Sequence, residues 1–293
     1  MQPENNFLIK LIAVDIDGTL LNSKHKLTER TKTAVKQAIG MGIKFMFATG
    51  KTYTSAKFLF SELGVTTPGV FGQGTIVYNA DGTIRHQVSL PNALLRRMIP
   101  FIEERNGCIM VYSGESILMK QADSRSDILV KHHEPAPTYV GSLINALEKH
   151  AFNKIIISGT DPKHARSLHW QLNHMIGKEV TMTFAGIPQQ FEVLPLGISK
   201  GKAVAALAKE LGIPAANVLG IGDAENDVDL LNFAGVSVAM GNAPDAIKAF
   251  AKYTTSSNDL DGVAEALERF VLPKPIAAEV EPKPVVAEEK PNA

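Results

Sequence analysis

The chain has 293 residues, 45% of them hydrophobic, which is enough for one large domain or two smaller ones with a buried core. Thirty Lys and Arg residues balance 30 Asp and Glu residues, so the charge favours neither nucleic acid nor an anionic membrane surface as a partner. The single cysteine, Cys108, excludes an internal disulfide and suits a reducing compartment. The sequence begins without the pattern of a signal peptide, and no apolar run approaches the ~18 residues of a membrane span, so we expect a cytoplasmic protein with no membrane partner.

Strands and helices alternate in the first part of the chain. The apolar run at 8–14 predicts a buried strand, and Thr28 is a suitable N-cap for a helix that ends near Gly40. Short strands and a hairpin complete this part. The further predicted elements are a strand at 43–48, a helix ending near 63, a strand at 70–71 and a hairpin with arms at 76–78 and 83–87.

The middle of the chain has a different rhythm. A predicted helix at 92–105 contains Pro100, which we expect to kink or split it. The elements that follow are a hairpin (108–112 and 116–119), a helix (143–150), a strand (152–158), a helix (162–175) and two strands (179–184 and 190–194). This order is typical of an α+β unit, and we predict an inserted domain at 84–188.

Alternation then resumes up to about residue 272. The predicted elements are helices at 199–211, 226–234, 244–250 and 261–272, and strands at 217–221, 236–240 and 252–255. We therefore predict an α/β fold, with a Rossmann-like, doubly wound parallel sheet built from 1–83 and 189–272. The Pro- and Glu-rich segment 273–293 is predicted to be disordered.

Two aspartates follow the first strand, in the segment Asp15-Ile16-Asp17-Gly18-Thr19. Ligands of open α/β sheets bind at the carboxyl ends of the strands. Two neighbouring carboxylates repel each other, and a hard divalent cation such as Mg²⁺ relieves that repulsion. Gly18 allows a sharp turn and leaves its amide free to face an anion. An acidic turn without function is the plain alternative.

Three further segments fall at matching strand or helix boundaries. Thr49-Gly50-Lys51 offers a hydroxyl and a free amide to a phosphate oxygen, whereas a nucleotide P-loop would need Gly in place of Phe45. Lys200 follows the N-cap Ser199, where a cation opposes the helix dipole unless an anion lies beside it; the alternative is a solvated lysine. Asp223, Asn226 and Asp227 follow an apolar strand, although Asn and Asp are also common helix caps.

These four segments, in this order, resemble the motifs of the haloacid dehalogenase superfamily of phosphohydrolases, over about residues 8–272. The resemblance implies that Asp15 is the nucleophile, that Asp17 is the general acid/base and that Lys200 stabilises the transferring group. Phosphate or substrate would be held by Gly18, Thr49, Gly50, Lys51 and Asn226. Mg²⁺ would be held by Asp15, the backbone carbonyl of Asp17, Asp223 and, as a further partner, Asp227.

The position and composition of the inserted unit resemble the cap of the Cof-like subfamily (subclass IIB), which implies a small phosphate ester, such as a sugar phosphate, as the substrate. Lys51 stands where the subfamily usually has Arg, and Gly72-Gln73-Gly74-Thr75 stands where it usually has Asn-Gly-Ala, so the substrate contacts of that Arg and that Asn are not carried over to this chain. A phosphomutase and a non-catalytic phospho-accepting module are the alternative functions. We expect a monomer or a weak homodimer.

Two other features invite a functional interpretation. His132-His133-Glu134 could be part of a metal site, but no zinc-ligand spacing accompanies it, and a polar loop is the simpler interpretation. Trp170 lies at helical spacing from Leu168 and Leu172, which favours packing over ligand stacking.

Overall fold

The computed structural model describes residues 8–184 and 189–273. In these ranges the strands are β1 (Leu11–Val14), β2 (Lys44–Phe47), β3 (Gly69–Phe71), β4 (Ile76–Tyr78), β5 (Ile84–Gln87), β6 (Cys108–Ser113), β7 (Ser116–Met119), β8 (Thr138–Tyr139), β9 (Lys154–Ser158), β10 (Val180–Thr183), β11 (Gln190–Pro195), β12 (Val218–Gly222), β13 (Val236–Ala239) and β14 (Tyr253–Thr254). The helices are α1 (Glu29–Gly40), α2 (Tyr53–Leu63), α3 (Asn92–Glu103), α4 (Asp127–Lys131), α5 (Leu143–Ala146), α6 (Pro162–Ile176), α7 (Lys200–Glu210), α8 (Val228–Phe233), α9 (Asp245–Lys248) and α10 (Gly262–Phe270).

A parallel sheet of five strands, in the order β14-β13-β12-β1-β2, organises the core unit. β1 lies between β12 and β2, and Val14 pairs with Ile221 on one side and Phe47 on the other. Apolar clusters cover both faces, one shared with α1, α2 and α10 and the other with α7 and α8. Burial on both faces explains why these strands are continuous apolar runs, and it confirms the predicted doubly wound α/β fold.

The middle segment forms a second sheet of six strands, in the order β10-β11-β9-β6-β7-β8. All its pairs are antiparallel except β7–β8. One face is covered by α3, α5 and α6 and holds a separate apolar cluster that includes Leu95, Ile157 and Phe191. The segment therefore has a core of its own, which is the property that defines a domain.

Strand pairing also bears on the domain boundaries suggested by the sequence. β5 pairs with β4 in a three-stranded sheet with β3, and β3 adjoins the core sheet through a bridge between Ala48 and Val70. β11 pairs with β9 and β10 in the six-stranded sheet. We therefore propose that the inserted unit extends from about residue 88 to about residue 195 rather than from 84 to 188.

Helix ends and interruptions follow the local sequence in most places. Thr28 and Ser199 cap α1 and α7 by accepting hydrogen bonds from Thr31 N–H and Lys202 N–H, as their positions predicted. Pro100 does not split α3, which continues to Glu103, and packing of its apolar face offsets the lost backbone hydrogen bond. The helix predicted at 143–150 ends at Ala146.

None of the helices in the described ranges has the length and hydropathy needed to cross a bilayer. The predicted disorder of 273–293 falls outside the described residues, apart from Pro273.

Candidate active site

The acidic cluster, which we define as Asp15, Asp223 and Asp227, lies at the carboxyl edge of the core sheet. Asp15 directly follows β1 and Asp223 directly follows β12, and these strands are parallel neighbours. The three side chains each offer a carboxylate oxygen within 4.8 Å of the others. The strand register therefore brings together groups that are about 200 residues apart in sequence.

Lys200, in the first turn of α7, supplies a positive charge beside this cluster. Its Nζ donates to Asp15 Oδ1 at 2.7 Å and to Asp227 Oδ1 at 2.8 Å, and the residue is 1% exposed. Burial alone would lower the pKa of Lys200, but the carboxylates of Asp15 and Asp227 outweigh it and raise the pKa. Lys200 is thus a buried, protonated lysine and not the solvated one of the alternative interpretation.

Asp227 is fully buried and supports the loop that carries Asp223. One of its oxygens accepts from Lys200, and its Oδ2 accepts from the backbone N–H groups of Asp223 at 3.0 Å and Ala224 at 3.1 Å. These bonds use most of the lone pairs of Asp227. They fix the path of the chain directly after β12.

Asp223 is held by the loop that follows β1. Its Oδ1 accepts from Thr19 Oγ1 at 2.7 Å. Gly18 has φ of +77°, and a Cβ at this position would lie 2.5 Å from Asp223 Oδ2, so only glycine fits. Burial raises the pKa of Asp223 to about 6, although the hydroxyl of Thr19 opposes that rise.

Three carboxylates and one ammonium leave the site with a negative charge when all are ionised. Burial raises the pKa of Asp15 well above its ordinary value, and Lys200 opposes that rise. A buried cluster of hard oxygen donors with excess negative charge fits Mg²⁺, which would neutralise it. Asp15, Asp223 and Asp227 form a group of side chains that could hold such an ion.

Asp17 faces away from the acidic cluster. Its Oδ2 lies 3.1 Å from Lys51 Nζ, and its Oδ1 lies 3.3 Å from His25 Nδ1. Oδ1 is buried and forms no hydrogen bond within the described residues. The carboxylate is therefore oriented by Lys51 on one oxygen and faces His25 with the other. Its predicted role in metal binding concerns the backbone carbonyl and stays a prediction.

The predicted phosphate-binding segment follows β2, next to Asp15. Thr49 is buried, and its hydroxyl accepts from the N–H of Lys51 at 3.2 Å. Lys51 Nζ also donates to the carbonyl of His132 in the inserted unit. Thr49, Gly50, Lys51 and Asn226 all line one cavity with Asp15 and Asp17. The structure thus brings the sequence-predicted residues together around that cavity or the adjoining acidic cluster.

Sequence reasoning missed a chain of buried and partly buried polar contacts that joins the two units. Asn226 Nδ2 donates to Gln73 Oε1 at 3.0 Å, and Gln73 Nε2 donates to Glu192 Oε2 at 2.9 Å. Glu192 Oε1 accepts from Lys154 Nζ at 3.1 Å, and Lys154 also donates to the carbonyl of Gly50 at 2.8 Å. One signal was present in the sequence, since Lys154 and Glu192 are charged residues within apolar strands.

The loop 132–134 of the inserted unit contacts the core unit. Glu134 accepts from Thr52 Oγ1 at 2.8 Å and from Ser55 Oγ at 3.2 Å, at the start of α2. His133 packs against His25 with ring centroids 4.8 Å apart. The loop thus forms polar contacts between the units, and the one grouping of three potential metal ligands found in the described chain is the acidic cluster. Trp170, expected to pack, is 63% exposed and contacts His174.

Comparisons with known proteins agree with this fold and site. Residues 12–267 match a family model described as haloacid dehalogenase-like hydrolase. Phosphatase YwpJ of Bacillus subtilis is 28% identical over 288 residues, which cover 90% of this chain and 100% of the relative. An endoribonuclease of Arabidopsis thaliana, YBEY, is 29% identical over 88% of this chain, and the match spans only 46% of that longer protein.

Solved structures give the same result. A haloacid dehalogenase-like hydrolase from Bacteroides thetaiotaomicron has a TM-score of 0.80 and 28% identity, covering 89% of this chain and 99% of that chain. A subclass IIB sugar phosphatase shares the fold, with a TM-score of 0.79 and 22% identity over 89% of this chain and 98% of that chain. The chain therefore belongs to the haloacid dehalogenase-like hydrolase family, with the Cof-like architecture that its sequence resembles.

Proposed function

We propose that this hydrolase is a magnesium-dependent phosphatase that cleaves phosphate monoesters of small metabolites through an aspartyl-phosphate. The carrying observation is the arrangement at one sheet edge. Asp15 is held by Lys200 beside two further carboxylates, and Asp17 lines the same cavity as Asp15. A nucleophile, an acid/base and a cation are the groups that hydrolysis through an aspartyl-phosphate uses.

The residues divide the reaction between them. Asp15 attacks phosphorus, a carboxylate O–P bond forms and the ester P–O bond breaks, while Asp17 gives a proton to the leaving oxygen. Asp17 then takes a proton from the water that cleaves the aspartyl-phosphate. Thr49 and Lys200 stabilise the charge on the phosphoryl oxygens. Bound Mg²⁺ supplies charge neutralisation between the anionic carboxylate and the anionic phosphate.

The relatives support a small-molecule substrate. Matching proteins of Bacillus subtilis include a 5-amino-6-(5-phospho-D-ribitylamino)uracil phosphatase, 26% identical over 90% of this chain, and YwpJ is itself named a phosphatase. We propose the same reaction class here, with a small phosphate ester as the partner. The cytoplasmic location and the monomer or weak homodimer stay predictions from the sequence.

The decisive experiment is Asp15→Asn, assayed with p-nitrophenyl phosphate in Mg²⁺. We expect hydrolysis to be abolished while the circular dichroism spectrum is retained, because the amide cannot attack phosphorus. Asp245→Asn is the control, since Asp245 is an exposed acid on α9. Full activity of Asp15→Asn would reject the proposed nucleophile.

Product analysis separates the alternative functions. Incubation with a labelled sugar bisphosphate gives inorganic phosphate from a hydrolase and an isomeric sugar phosphate from a mutase. A phospho-accepting module would stop after one turnover. Such modules need an acidic cluster and a lysine, but neither Asp17 nor a large inserted unit, so the structure favours the hydrolase.

A further inference from the structure

The loop 132–134 is fixed to the inserted unit and contacts the core unit with each of its three residues. On the side of the inserted unit, the three backbone N–H groups of the loop donate to carbonyls of α4. Leu129 of α4 is buried in an apolar cluster with side chains of β6 and β7. The loop is therefore part of the inserted unit, and its contacts with the core need the two units to be docked.

The first contact joins the carbonyl of His132 to the side chain of Lys51, whose Nζ donates to it. The same Nζ lies 3.1 Å from Asp17 Oδ2, and Lys51 is only 5% exposed. An ammonium group carries three donors and no acceptor, so the acceptors around a buried one set its direction. Loss of the His132 carbonyl would therefore release Lys51 from one of the two oxygens that hold it beside Asp17.

The second contact is between the rings of His133 and His25, whose planes meet at 76° with centroids 4.8 Å apart. His25 Nδ1 lies 3.3 Å from Asp17 Oδ1, whereas Lys51 faces the other oxygen of that carboxylate. Both histidines have a positive φ, +53° at His25 and +55° at His133, which is unfavourable for residues other than glycine. Such strain is found most often at functional sites, and here it occurs on both sides of one contact next to Asp17.

The third contact, made by Glu134, anchors the loop beside Lys51. The carboxylate of Glu134 accepts from Thr52 Oγ1 at 2.8 Å and from the N–H of Thr52 at 3.3 Å, and Thr52 directly follows Lys51. It also accepts from Ser55 Oγ at 3.2 Å. Hydrogen bonds to an ionised carboxylate are stronger than those between neutral groups, so Glu134 is the residue whose removal should release the loop from the core unit.

Both residues that flank the carboxylate of Asp17 are thus in contact with one loop of the inserted unit. We propose that the loop 132–134 positions the acid/base: it holds Asp17 through Lys51 and His25, so that proton transfer to the leaving oxygen is efficient only while the inserted unit is docked. The proposal rests on the proposed function, in which Asp17 is the acid/base. Proton transfer needs a separation of about 2.6–3.2 Å between the two heavy atoms, so a small rotation of Asp17 slows this step without affecting the attack by Asp15.

The first test compares phenyl phosphate with p-nitrophenyl phosphate, two esters that differ by one nitro group. Phenolate is the more basic leaving group and depends more on protonation by Asp17. Glu134→Ala should lower the ratio of kcat/KM for phenyl to p-nitrophenyl phosphate at least threefold. Weaker substrate binding alone would raise KM for both esters and leave this ratio unchanged. An unchanged ratio in the folded variant would overturn the proposal.

Glu115→Ala is the matched control for this test. Glu115 of the inserted unit also accepts from a hydroxyl of α2, Thr54 Oγ1 at 2.6 Å, but no hydrogen bond or ion pair of the described residues joins it to Lys51 or His25. Glu115→Ala should therefore leave the ratio unchanged. An equal fall in the two variants would show that any loosening of the inserted unit has this effect, and it would overturn the specific role of the loop.

The second test follows the route from the loop to the acid/base. His25→Ala should lower the same ratio, whereas His86→Ala, at an exposed histidine of β5, should not. In a chain that already carries Lys51→Met and His25→Ala, Glu134→Ala should change the ratio by less than twofold, because both side chains through which the loop acts are gone. A full threefold fall in that background would overturn the proposal. A parent enzyme that hydrolyses neither ester would instead reject the proposed function.

Discussion

At the scale of single residues, the lack of a side chain at Gly18 leaves the space that the carboxylate of Asp223 occupies. Gly18→Ala would place a methyl group 2.5 Å from Asp223 Oδ2 and force that carboxylate to move. We expect Mg²⁺ affinity to fall about 10- to 100-fold, the range found when groups that orient metal ligands are changed. Isothermal titration with Mg²⁺ measures the effect.

Gly42→Ala is the matched control for this prediction. Gly42 also has a positive φ, +82°, but a Cβ there would meet nothing within 4 Å. Both variants carry the backbone strain of a left-handed residue, and only Gly18→Ala carries the clash. A similar loss of Mg²⁺ affinity in both would show that strain, and not displacement of Asp223, is responsible.

Lys51 allows a second prediction, on the general acid. Lys51→Met removes the contact that orients Asp17, so Asp17 should protonate the leaving oxygen more slowly. We expect kcat for an alkyl phosphate to fall at least tenfold, and kcat for p-nitrophenyl phosphate to fall much less, because nitrophenolate leaves without a proton. Lys57→Met, an exposed change on α2, should leave both unchanged. Equal losses for both esters would assign Lys51 to phosphate binding.

Most of the site residues could be predicted because each lies directly after a strand or at a helix start. Asp15, Thr49 and Asp223 follow β1, β2 and β12, so their proximity follows from the parallel order. The direction in which a side chain points within a loop does not follow from the strand order. Asp17 contacts Lys51, whereas Asp227 contacts the buried Lys200. These contacts depend on tertiary packing, which the spacing of residues within one segment does not determine.

At the scale of elements, the loop 132–134 joins the inserted unit to the start of α2. Glu134→Gln would weaken its contacts with Thr52 and Ser55, because the charge that strengthens those hydrogen bonds is lost. We expect a several-fold higher KM and faster hydrogen exchange in 127–134, with circular dichroism unchanged. Glu148→Gln, an exposed change in the same unit, is the control. Unchanged exchange in Glu134→Gln would show that the contact does not hold the loop.

The sequence predicted the ends of helices and strands to within a few residues wherever the hydrophobic periodicity or a capping residue was clear, as at α1 and α6. The exceptions have physical causes. Pro100 was expected to interrupt α3, yet five buried apolar residues on one face, Leu94, Leu95, Met98, Ile99 and Ile102, hold the helix against the sheet. Gln73 has φ of +63°, a conformation that its sequence does not suggest, and its buried amide depends on partners 119 and 153 residues away.

At the scale of the whole molecule, metal binding should stabilise the fold. Burial raises the pKa of Asp223 from 3.8 to about 6, so the folded protein holds this proton more tightly than the unfolded chain does. Protonated Asp223 therefore raises the free energy of unfolding of the metal-free protein at low pH. This contribution is lost as the pH rises from 3.8 toward about 6. Mg²⁺ needs the ionised carboxylate, and so compensates the loss above pH 6.

We expect Mg²⁺ at about 100 times its Kd to raise the Tm by roughly 5 °C at pH 7.5, and by clearly less as the pH falls below 6. Differential scanning calorimetry with and without a chelator measures both values. Asp223→Asn should remove most of the gain, whereas the surface variant Asp245→Asn should retain it. A gain that is independent of pH would contradict ion binding at these carboxylates.

The placement of the inserted unit between β5 and α7 also has a consequence for synthesis. β1 leaves the ribosome some 200 residues before its neighbour β12, and the entire inserted unit lies between them in sequence. The inserted unit is continuous in sequence and has its own apolar cluster, so its contacts can form while the core sheet is still incomplete. During translation, β1 therefore lacks its partner β12 while the inserted unit can already be folded. We expect chaperones to bind truncated nascent chains that end before β12 more than chains that include it.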